Sequence, residues 1–537
     1  MTMRNVRGLL NFPRSLTDMD TRSGRLFRLR TPASPVAASV VAAALGAAAC
    51  HDLTEQPQSS ITPSSYFQTP AQIQTGLAGV YSGLKATQAE YWQISETSSD
   101  EVIVPTRGQN WLDGGQWQEL WTHTYGPNSG AGRQSINGAY GGVSSAIAKA
   151  NANIQSLQSG QQTPGVVSAI AEMRALRAWS YFMLMDAFGG VPIVTQPQLT
   201  SSPRASRDSV ARFIESELHA VRSQLDSSLA TSQQGRITRG GVDAILSSLY
   251  LNWPVYTGTV TAAGLTAGQT RYDSVLAATG RILNSGVYSL NSNWESNFTA
   301  GNTSSTENIF VVSNNTAATG LGLDFPNRTL HYNSFKNPGG WNGFSTIADT
   351  YNTWDAADGR RSVFLVGPQN QLDTGLPAYL QDGVTRLNFT PTIASLVAAG
   401  EGDGIRNNKF ALDPNHNQQA NSNSFTIFRL ANVYLDRAEA LQRTGQTSAA
   451  LSLINQLRAR VYSPASPLAA LNDSTLLAER LHETFFEGKR RQDMIRFGVY
   501  DNPRLFKPSV SAGYHILFPI PTLQLQANPL LTQNPGY

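Results

Sequence analysis

Residues 434–460 read YLDRAEALQRTGQTSAALSLINQLRAR. Apolar residues recur every three or four positions on both sides of Gly445, which predicts two amphipathic helices joined by a tight turn. Small residues such as Ala438 and Ala450 fall on the apolar faces, where they allow two helix backbones to approach closely. The segment therefore predicts a pair of antiparallel helices.

A second helix pair with a similar composition is predicted upstream, over residues 239–252 and 272–284, with a longer connection between its members. Helix pairs that stack on one another are typical of tetratricopeptide-like solenoids. We therefore predict a mostly α-helical fold, an α–α superhelix of tetratricopeptide-like pairs. Further helices are predicted from residue 70 onward and over 141–157, 164–188, 207–228, 426–443 and 474–497.

The first 49 residues carry the positive charge of this chain. They contain seven arginines and two aspartates, a net charge of +5, whereas the whole 537-residue chain is +3, so the rest is mildly acidic. The basic total is therefore not a sign of nucleic-acid binding. Cys50, the single cysteine, excludes internal disulfides and cysteine-rich zinc sites.

An apolar run, PVAASVVAAALGAAA, occupies residues 35–49. It is shorter than the ~20 residues that a membrane-spanning helix needs, and with the preceding arginines it indicates a secretory signal peptide. Cys50 follows directly and resembles the lipobox cysteine of bacterial lipoproteins, whose thiol carries a diacylglycerol. Ala47 stands where leucine is usual, so a plain signal peptide with a chance cysteine is the alternative. Translation from Met19 is a second alternative.

Two long segments lack helical periodicity. Residues 90–132 are rich in Trp, Gly, Gln and Asn and predict a structured loop, and residues 286–424 predict a large irregular insert. Long irregular segments inside compact proteins usually carry function. The predicted organisation is a signal peptide (1–49), a lipid anchor and tether (50–69), an N-terminal helical part (70–285), the insert (286–424) and a C-terminal helical part (425–537).

Several motifs recur in a fixed order along the chain. They are Cys50 with Asp52-Leu53 and Tyr66-Phe67, RALRAWSYF (174–182) with FGGVP (188–192), RLANVYLDRAEA (429–440), Glu479-Arg480 with FEGKRRQDMIRFG (486–498), and FPIP (518–521), Asn528-Pro529 and QNPGY (533–537). Together they resemble the SusD/RagB family of outer-membrane nutrient-binding lipoproteins, over nearly all of residues 50–537.

The resemblance implies a cell-surface lipoprotein of the outer membrane that captures oligosaccharides or other oligomeric nutrients. It also implies a partner, a SusC-like TonB-dependent transporter to which the nutrient is passed, and it implies that the protein is not an enzyme. The charged residues of the motifs are then expected to form ion-pair networks or solvated helix faces rather than catalytic groups. They are Arg174, Arg177, Glu439, Glu487, Lys489, Arg490, Arg491, Asp493 and Arg496.

The first candidate binding residues lie in the loop 90–132. Four of the nine tryptophans of the chain fall within residues 92–121, among amide, carboxylate and guanidinium side chains. Aromatic faces can cover the C–H faces of a sugar while polar groups take its hydroxyls. Trp117 and Trp121 lie four residues apart and are expected to be structural. In the SusD/RagB family this loop forms part of the curved surface that binds the ligand, the binding arc. The resemblance therefore implies a ligand-binding role for Asp100, Arg107, Asn110 and Trp111. The alternative is that the tryptophans only fix the loop to the helices.

The insert supplies a second set of aromatic residues. PGGWNG (338–343) is typical of a loop tip that presents an aromatic side chain. In the family the insert forms the other part of the binding arc. The resemblance therefore implies that Tyr332 and Trp341 are the ligand-binding residues of the insert.

Motifs for catalysis and metal binding are missing from the sequence. No two of the seven histidines lie four residues apart, and there is no Walker loop, His-Glu-x-x-His motif or Gly-x-Ser-x-Gly elbow. No cofactor, metal ligand or catalytic residue is predicted, and calcium stays open. The alternatives are a surface glycoside hydrolase using a carboxylate pair such as Asp100–Asp113 or Asp355–Asp358, or a transporter lid that binds peptide or nothing. The ligand itself is not predicted.

Overall fold

A computed structural model describes residues 67, 69–229, 234–316 and 322–537, all within one unit, Thr62–Tyr537. The predicted signal peptide, Cys50 and most of the predicted tether lie outside the described residues. The helices are α1 Pro70–Tyr81, α2 Trp92–Thr97, α3 Gln116–Thr122, α4 Asn137–Gln158, α5 Pro164–Phe188, α6 Arg207–Arg222, α7 Arg239–Leu251, α8 Trp253–Tyr256, α9 Tyr272–Leu283, α10 Phe325–Thr329, α11 Ala348–Tyr351, α12 Leu430–Arg443, α13 Thr447–Ala459, α14 Asp473–Thr484, α15 Arg490–Arg496 and α16 Thr522–Ala527. The strands are β1 Thr259–Thr261, β2 Gly264–Thr266, β3 Asn308–Val312, β4 Phe364–Leu365, β5 Gly367–Pro368, β6 Asn388–Phe389, β7 Arg406–Asn407 and β8 Phe425–Arg429.

Local capping signals fix the long helices. At α1 the Thr69 hydroxyl accepts a hydrogen bond from the Gln72 amide, and Pro70 takes the first helical position. The Thr163 hydroxyl accepts from the Val166 amide at the start of α5, and Gly189 with φ of 74° ends that helix. A short polar cap, a proline with pre-set φ and a glycine in a positive-φ conformation are the usual helix-end devices.

Helix α5 lies at the centre of the core. Almost every residue from Ala171 to Phe188 is buried, as expected of a helix that is apolar on all sides. Helices α4 and α6 both pack on it, α7 pairs with α9, α12 pairs with α13, and α9 contacts α12. The predicted mostly α-helical, tetratricopeptide-like fold is confirmed.

Three of the predicted helices differ in the structure. The helix predicted over 207–228 ends at Arg222. The predicted helix 426–443 begins only at Leu430, because the β-prone residues Phe425–Arg429 form β8 and pair antiparallel with β3 of the insert. The predicted helix 474–497 is two helices, α14 and α15, separated by a break in which Phe486 and Gly488 have positive φ.

The loop 90–132 also contains helices that its sequence did not predict. Helix α3 buries Trp117, Leu120 and Trp121 on one face, but seven residues are too few to reveal a helical period. The two tryptophans are 3% and 0% exposed, so their predicted structural role is confirmed.

Most of the charged residues of the motifs form ion pairs, whereas the Lys489 ammonium lies 3.9 Å from the Phe428 ring centroid and has no ion pair among the described residues. Arg429 is fully buried and donates to the carboxylates of Glu307, Glu483 and Glu487. The other pairs include Arg174–Glu217, Arg490–Asp100, Arg491–Asp186, Arg480–Asp493 and Arg496–Glu439, at 2.6–2.9 Å. These groups hold helices and insert together.

Among the described residues, none of the helices combines the length and apolar character that crossing a bilayer requires. Within the same residues, no group of three or more His, Cys, Asp or Glu side chains could hold a metal ion.

Candidate functional site

A tight turn at residues 107–110 presents the first candidate residues. The main-chain groups of Arg107 and Asn110 exchange two hydrogen bonds of 3.0 Å, and Gly108 within the turn has φ of 60°. Glycine allows this conformation without steric cost. The turn leaves the Asn110 side chain exposed and passes the chain directly to Trp111.

A glycine-dependent loop of the insert presents the second set. A Cβ atom on Gly339 would lie 2.3 Å from the carbonyl oxygen of Tyr332, and one on Gly340 would lie 2.0 Å from that of Leu330. Only glycine permits this approach, which folds the loop back on the segment before it. As a result Trp341 lies on the same part of the surface as Tyr332.

The two segments meet side chain to side chain. The Asn110 amide donates to the Tyr332 hydroxyl at 2.6 Å, and the Trp111 indole N–H donates to the Trp341 carbonyl at 2.8 Å. The Trp111 and Trp341 rings lie 6.5 Å apart with planes inclined by 44°. The three aromatic side chains are half-buried and Asn110 is exposed. We call Asn110, Trp111, Tyr332 and Trp341 the aromatic platform.

Arg107 lies beneath this platform rather than on it. Its side chain is buried, at 3% residue exposure, and makes six hydrogen bonds. Five end on the carbonyl oxygens of Pro105, Asn342, Gly343, Gly400 and Asp403, and one ends on the Ser345 hydroxyl. Burial lowers the pKa of Arg107 to about 10, which still leaves it charged at neutral pH. These contacts argue against a direct ligand contact and make Arg107 a brace between the two loops.

Asp100 is separate from the platform. Its two carboxylate oxygens accept from Arg490 at 2.7 and 2.8 Å, and both residues line another cleft, of about 330 Å³. Burial alone would raise the pKa of Asp100, but the charge and hydrogen bonds of Arg490 outweigh it and hold the pKa below its usual range. Because both carboxylate oxygens of Asp100 accept from Arg490, the side chain has no free oxygen for the predicted contact with a ligand.

Three residues around the platform were not singled out from the sequence. Phe344 lies behind Trp111, with ring centroids 5.4 Å apart, and the Arg328 guanidinium lies 5.7 Å from the Trp341 ring centroid. Gly343 faces the Trp111 ring so closely that a Cβ atom would lie 2.3 Å from it. The PGGWNG motif marked the place of Gly343 and Phe344, whereas nothing in the local pattern marks Arg328 of α10.

Behind Tyr332 a histidine and a glutamate form a polar link. The Asn333 amide donates to His331 Nδ1 at 3.1 Å, so Nε2 carries the proton that Glu401 accepts at 2.8 Å. Burial lowers the pKa of His331, although the bond to Glu401 opposes this. The link therefore joins neutral His331 to the loop around residue 401.

Chemically, the platform offers flat apolar faces next to amide and hydroxyl groups. Such a surface suits a ligand that has both C–H faces and hydroxyls. The charged side chains near it have partners: Arg328 pairs with Asp324 at 2.9 Å, and Glu401 bonds His331.

Comparisons with known proteins agree with the fold. Residues 284–507 match a family model described as "SusD family", and residues 53–251 match one described as "Starch-binding associating with outer membrane". The SusD-like protein P25 of Formosa agariphila is 22% identical, over 90% of this chain and 96% of that protein. The starch-binding protein SusD of Bacteroides thetaiotaomicron is 33% identical over 119 residues, 21% of each chain.

A solved structure has the same fold. Surface glycan-binding protein A from Bacteroides thetaiotaomicron, in complex with laminarihexaose, superposes with a TM-score of 0.68 at 18% identity. The match covers 86% of this chain and 99% of that chain. The two family models together span both halves of the sequence, and the motif order predicted the same relationship. The chain belongs to the SusD/RagB family.

Proposed function

We propose that this protein binds oligosaccharides on the aromatic platform. The observation that carries the proposal is the meeting of three half-buried aromatic side chains, from the loop 90–132 and from the insert, beside the exposed amide of Asn110. Rings at this spacing can cover successive sugar faces, while the amide and the Tyr332 hydroxyl take hydroxyl groups.

The names of related proteins support a glycan as the ligand. One relative is named a starch-binding protein, and one structure of the same fold is a surface glycan-binding protein in complex with laminarihexaose. These are the first two glycan types to test. A non-sugar nutrient such as a peptide is the alternative within the same family role.

The cellular role follows from the family. The protein is exported by residues 1–49, carries lipid on Cys50, and faces outward from the outer membrane, where it passes its ligand to a SusC-like TonB-dependent transporter. The description "associating with outer membrane" of the matched family model supports the location. The helical body of the protein then consists of residues 70–285 and 425–537. The insert, residues 286–424, contributes to ligand binding.

The protein acts by binding and not by catalysis. A glycoside hydrolase needs one carboxyl with a raised pKa as its general acid. Asp100 is paired with Arg490, and Asp113 accepts a hydrogen bond from the Trp117 indole at 2.7 Å. Burial would raise the pKa of Asp358, but Arg360 outweighs it and lowers that pKa. Both candidate pairs, Asp100–Asp113 and Asp355–Asp358, thus contain a carboxylate that already accepts hydrogen bonds from another side chain.

Isothermal titration calorimetry with maltoheptaose, laminarihexaose and a peptide panel tests the proposal. Trp111→Ala and Trp341→Ala should each weaken binding of the bound oligosaccharide about tenfold or more. Phe213→Ala removes a half-buried aromatic of α6 far along the chain and should leave the affinity unchanged. The proposal fails if both tryptophan variants bind sugar as well as the parent protein does.

Two further measurements separate the alternatives. Oligosaccharides incubated with the protein should release no new reducing ends, since release that disappears on substitution of a carboxylate would indicate a hydrolase. The tryptophan variants should still co-purify with the transporter, because the platform is proposed to bind ligand and not to hold the complex. Loss of the complex in these variants would make the platform a docking surface.

A further inference from the structure

A second concave surface lies apart from the platform, between α1, the end of β3 and residues 234–236. It is a cleft of about 310 Å³. One part of its wall is apolar and includes Leu77, Tyr81, Leu84 and Val312, while Ala78 lies exposed at its edge. The uncharged polar residues that line it are Gln74, Ser82, Gln234 and Ser313. None of the platform residues lines it.

Among the described residues, the charged ones that line this cleft are both basic, Lys85 and Arg236, and none that lines it is acidic. Arg236 already has a partner, because its guanidinium donates to Glu172 with an Nε–Oε2 distance of 2.9 Å and through a second bond. The Tyr81 hydroxyl also donates to that carboxylate, at 2.8 Å. The charge of Glu172 is thus balanced without Lys85.

Lys85 is left without a carboxylate of its own. Asp324 acts on it electrostatically but is paired with Arg328 at 2.9 Å, and no ion pair to Lys85 occurs within the described part of the chain. Burial lowers the pKa of Lys85, and Asp324 only partly opposes this. A half-buried ammonium beside an apolar wall gains most from an anion that brings its own apolar surface.

We propose that this cleft binds a small organic monoanion, with its apolar body against Leu77, Tyr81 and Val312 and its acidic group at Lys85. The volume is at the lower end of the ~300–1,000 Å³ found for ligand sites, so one or two rings or a short acyl chain would fill it. This site goes beyond the proposed function, because a neutral oligosaccharide has no charge to pair with the ammonium.

Two naphthalene probes test the cleft. 8-Anilinonaphthalene-1-sulfonate carries an apolar body and one negative charge, and N-phenyl-1-naphthylamine has the same body without the charge. The sulfonate should bind saturably, with one molecule per chain and a rise in fluorescence. Lys85→Met should weaken sulfonate binding about tenfold, as expected for one charge-assisted contact, and should leave binding of the neutral probe unchanged.

Filling the cleft gives an independent variant. Ala78→Trp places a large ring at its edge from an exposed position of α1 and should abolish binding of both probes there. Ala71→Trp and Lys149→Met change exposed residues that do not line the cleft, and they should bind the sulfonate as the parent protein does. Sulfonate binding that survives Ala78→Trp, that is absent from the parent, or that Lys85→Met leaves unchanged would overturn the proposal.

Discussion

Replacing Arg107 with methionine should weaken the fold and oligosaccharide binding together. Methionine keeps part of the side-chain volume but removes every donor of the guanidinium. The Asn342 and Gly343 carbonyls each accept from Arg107 at 2.9 Å in buried surroundings. Each buried acceptor left without a donor costs about 1–3 kcal/mol. The Asn342 carbonyl loses its donor, whereas the Gly343 carbonyl keeps a long hydrogen bond of 3.4 Å from the Ser345 hydroxyl. The unfolding free energy should therefore fall by about 1–6 kcal/mol.

The loss of binding follows from the position of those carbonyls. Asn342 and Gly343 come directly after Trp341, whose own carbonyl accepts the Trp111 indole N–H. Once residues 342 and 343 are released, the two rings no longer hold their relative position, and the affinity for oligosaccharide should fall with the stability. Arg107→Lys should recover little, since an ammonium cannot reproduce a planar fork of donors to five carbonyls and a hydroxyl.

Urea unfolding followed by tryptophan fluorescence, together with calorimetric titration of the oligosaccharide, measures both effects. Arg133→Met, at an exposed arginine just after the loop 90–132, is the matched control and should change neither. If Arg107→Met loses affinity but unfolds at the parent's urea midpoint, Arg107 contacts the ligand, as the sequence had suggested. If both quantities are unchanged, the brace is not needed and the reasoning is refuted.

Three other substitutions test separate parts of the structure. Gly343→Ala, whose Cβ would lie 2.3 Å from the Trp111 ring, should displace that ring and weaken sugar binding about tenfold in calorimetry, whereas Gly141→Ala, which meets nothing within 4 Å, should not. Burial raises the pKa of Glu96, so its contribution to stability is present below the ordinary glutamate pKa of about 4.3 and is lost as the pH rises through the folded-state pKa. Burial also raises the pKa of Glu101, which interacts with Glu96 and still titrates in the variant. Glu96→Gln should therefore make the decline in the urea midpoint between pH 5 and pH 8 shallower without abolishing it, and an unchanged decline would contradict this assignment. Arg429→Met leaves three buried carboxylates short of a partner and should lower the unfolding free energy by about 3–5 kcal/mol, seen as a lower melting temperature, while a variant as stable as the parent would contradict the cluster's role.

The helices that the sequence predicted well are those whose ends carry their own signals. The sequence predicts α5 over 164–188, and the helix spans Pro164–Phe188, because Thr163 and Gly189 terminate it through local chemistry. The break between α14 and α15 has no such local origin. The amides of Phe486 and Gly488 donate to Glu101 and Glu96, and the Trp92 indole donates to the Phe486 carbonyl at 3.2 Å. Partners about 390 residues away set that break, so no window of sequence could contain it.

In the candidate site, too, the local sequence predicts single residues but not the contacts between distant segments. Trp111 and Trp341 could be predicted separately, since each follows or precedes glycines in a polar loop. Their meeting could not, because it depends on how the insert folds against the loop 90–132. Arg107 shows the limit most clearly: a guanidinium suits a sugar hydroxyl and a main-chain carbonyl equally well, and only the five carbonyls around it in the structure decide between them.

The charges around the two surfaces argue for two different kinds of ligand. Beneath the platform, Arg328 pairs with Asp324, His331 bonds Glu401, and Arg107 is saturated by main-chain oxygens. A ligand there meets ring faces and neutral hydrogen-bonding groups that are already held in place, so little side-chain ordering opposes binding and a charged group on the ligand would find no free counter-charge. At the cleft on α1 the balance is reversed, because Lys85 keeps an ammonium that no described carboxylate neutralises by contact. Salt separates the two cases: since a contact between full charges is screened and a contact between ring faces and hydroxyls is not, raising the ionic strength should weaken sulfonate binding at the cleft while leaving oligosaccharide binding at the platform unchanged.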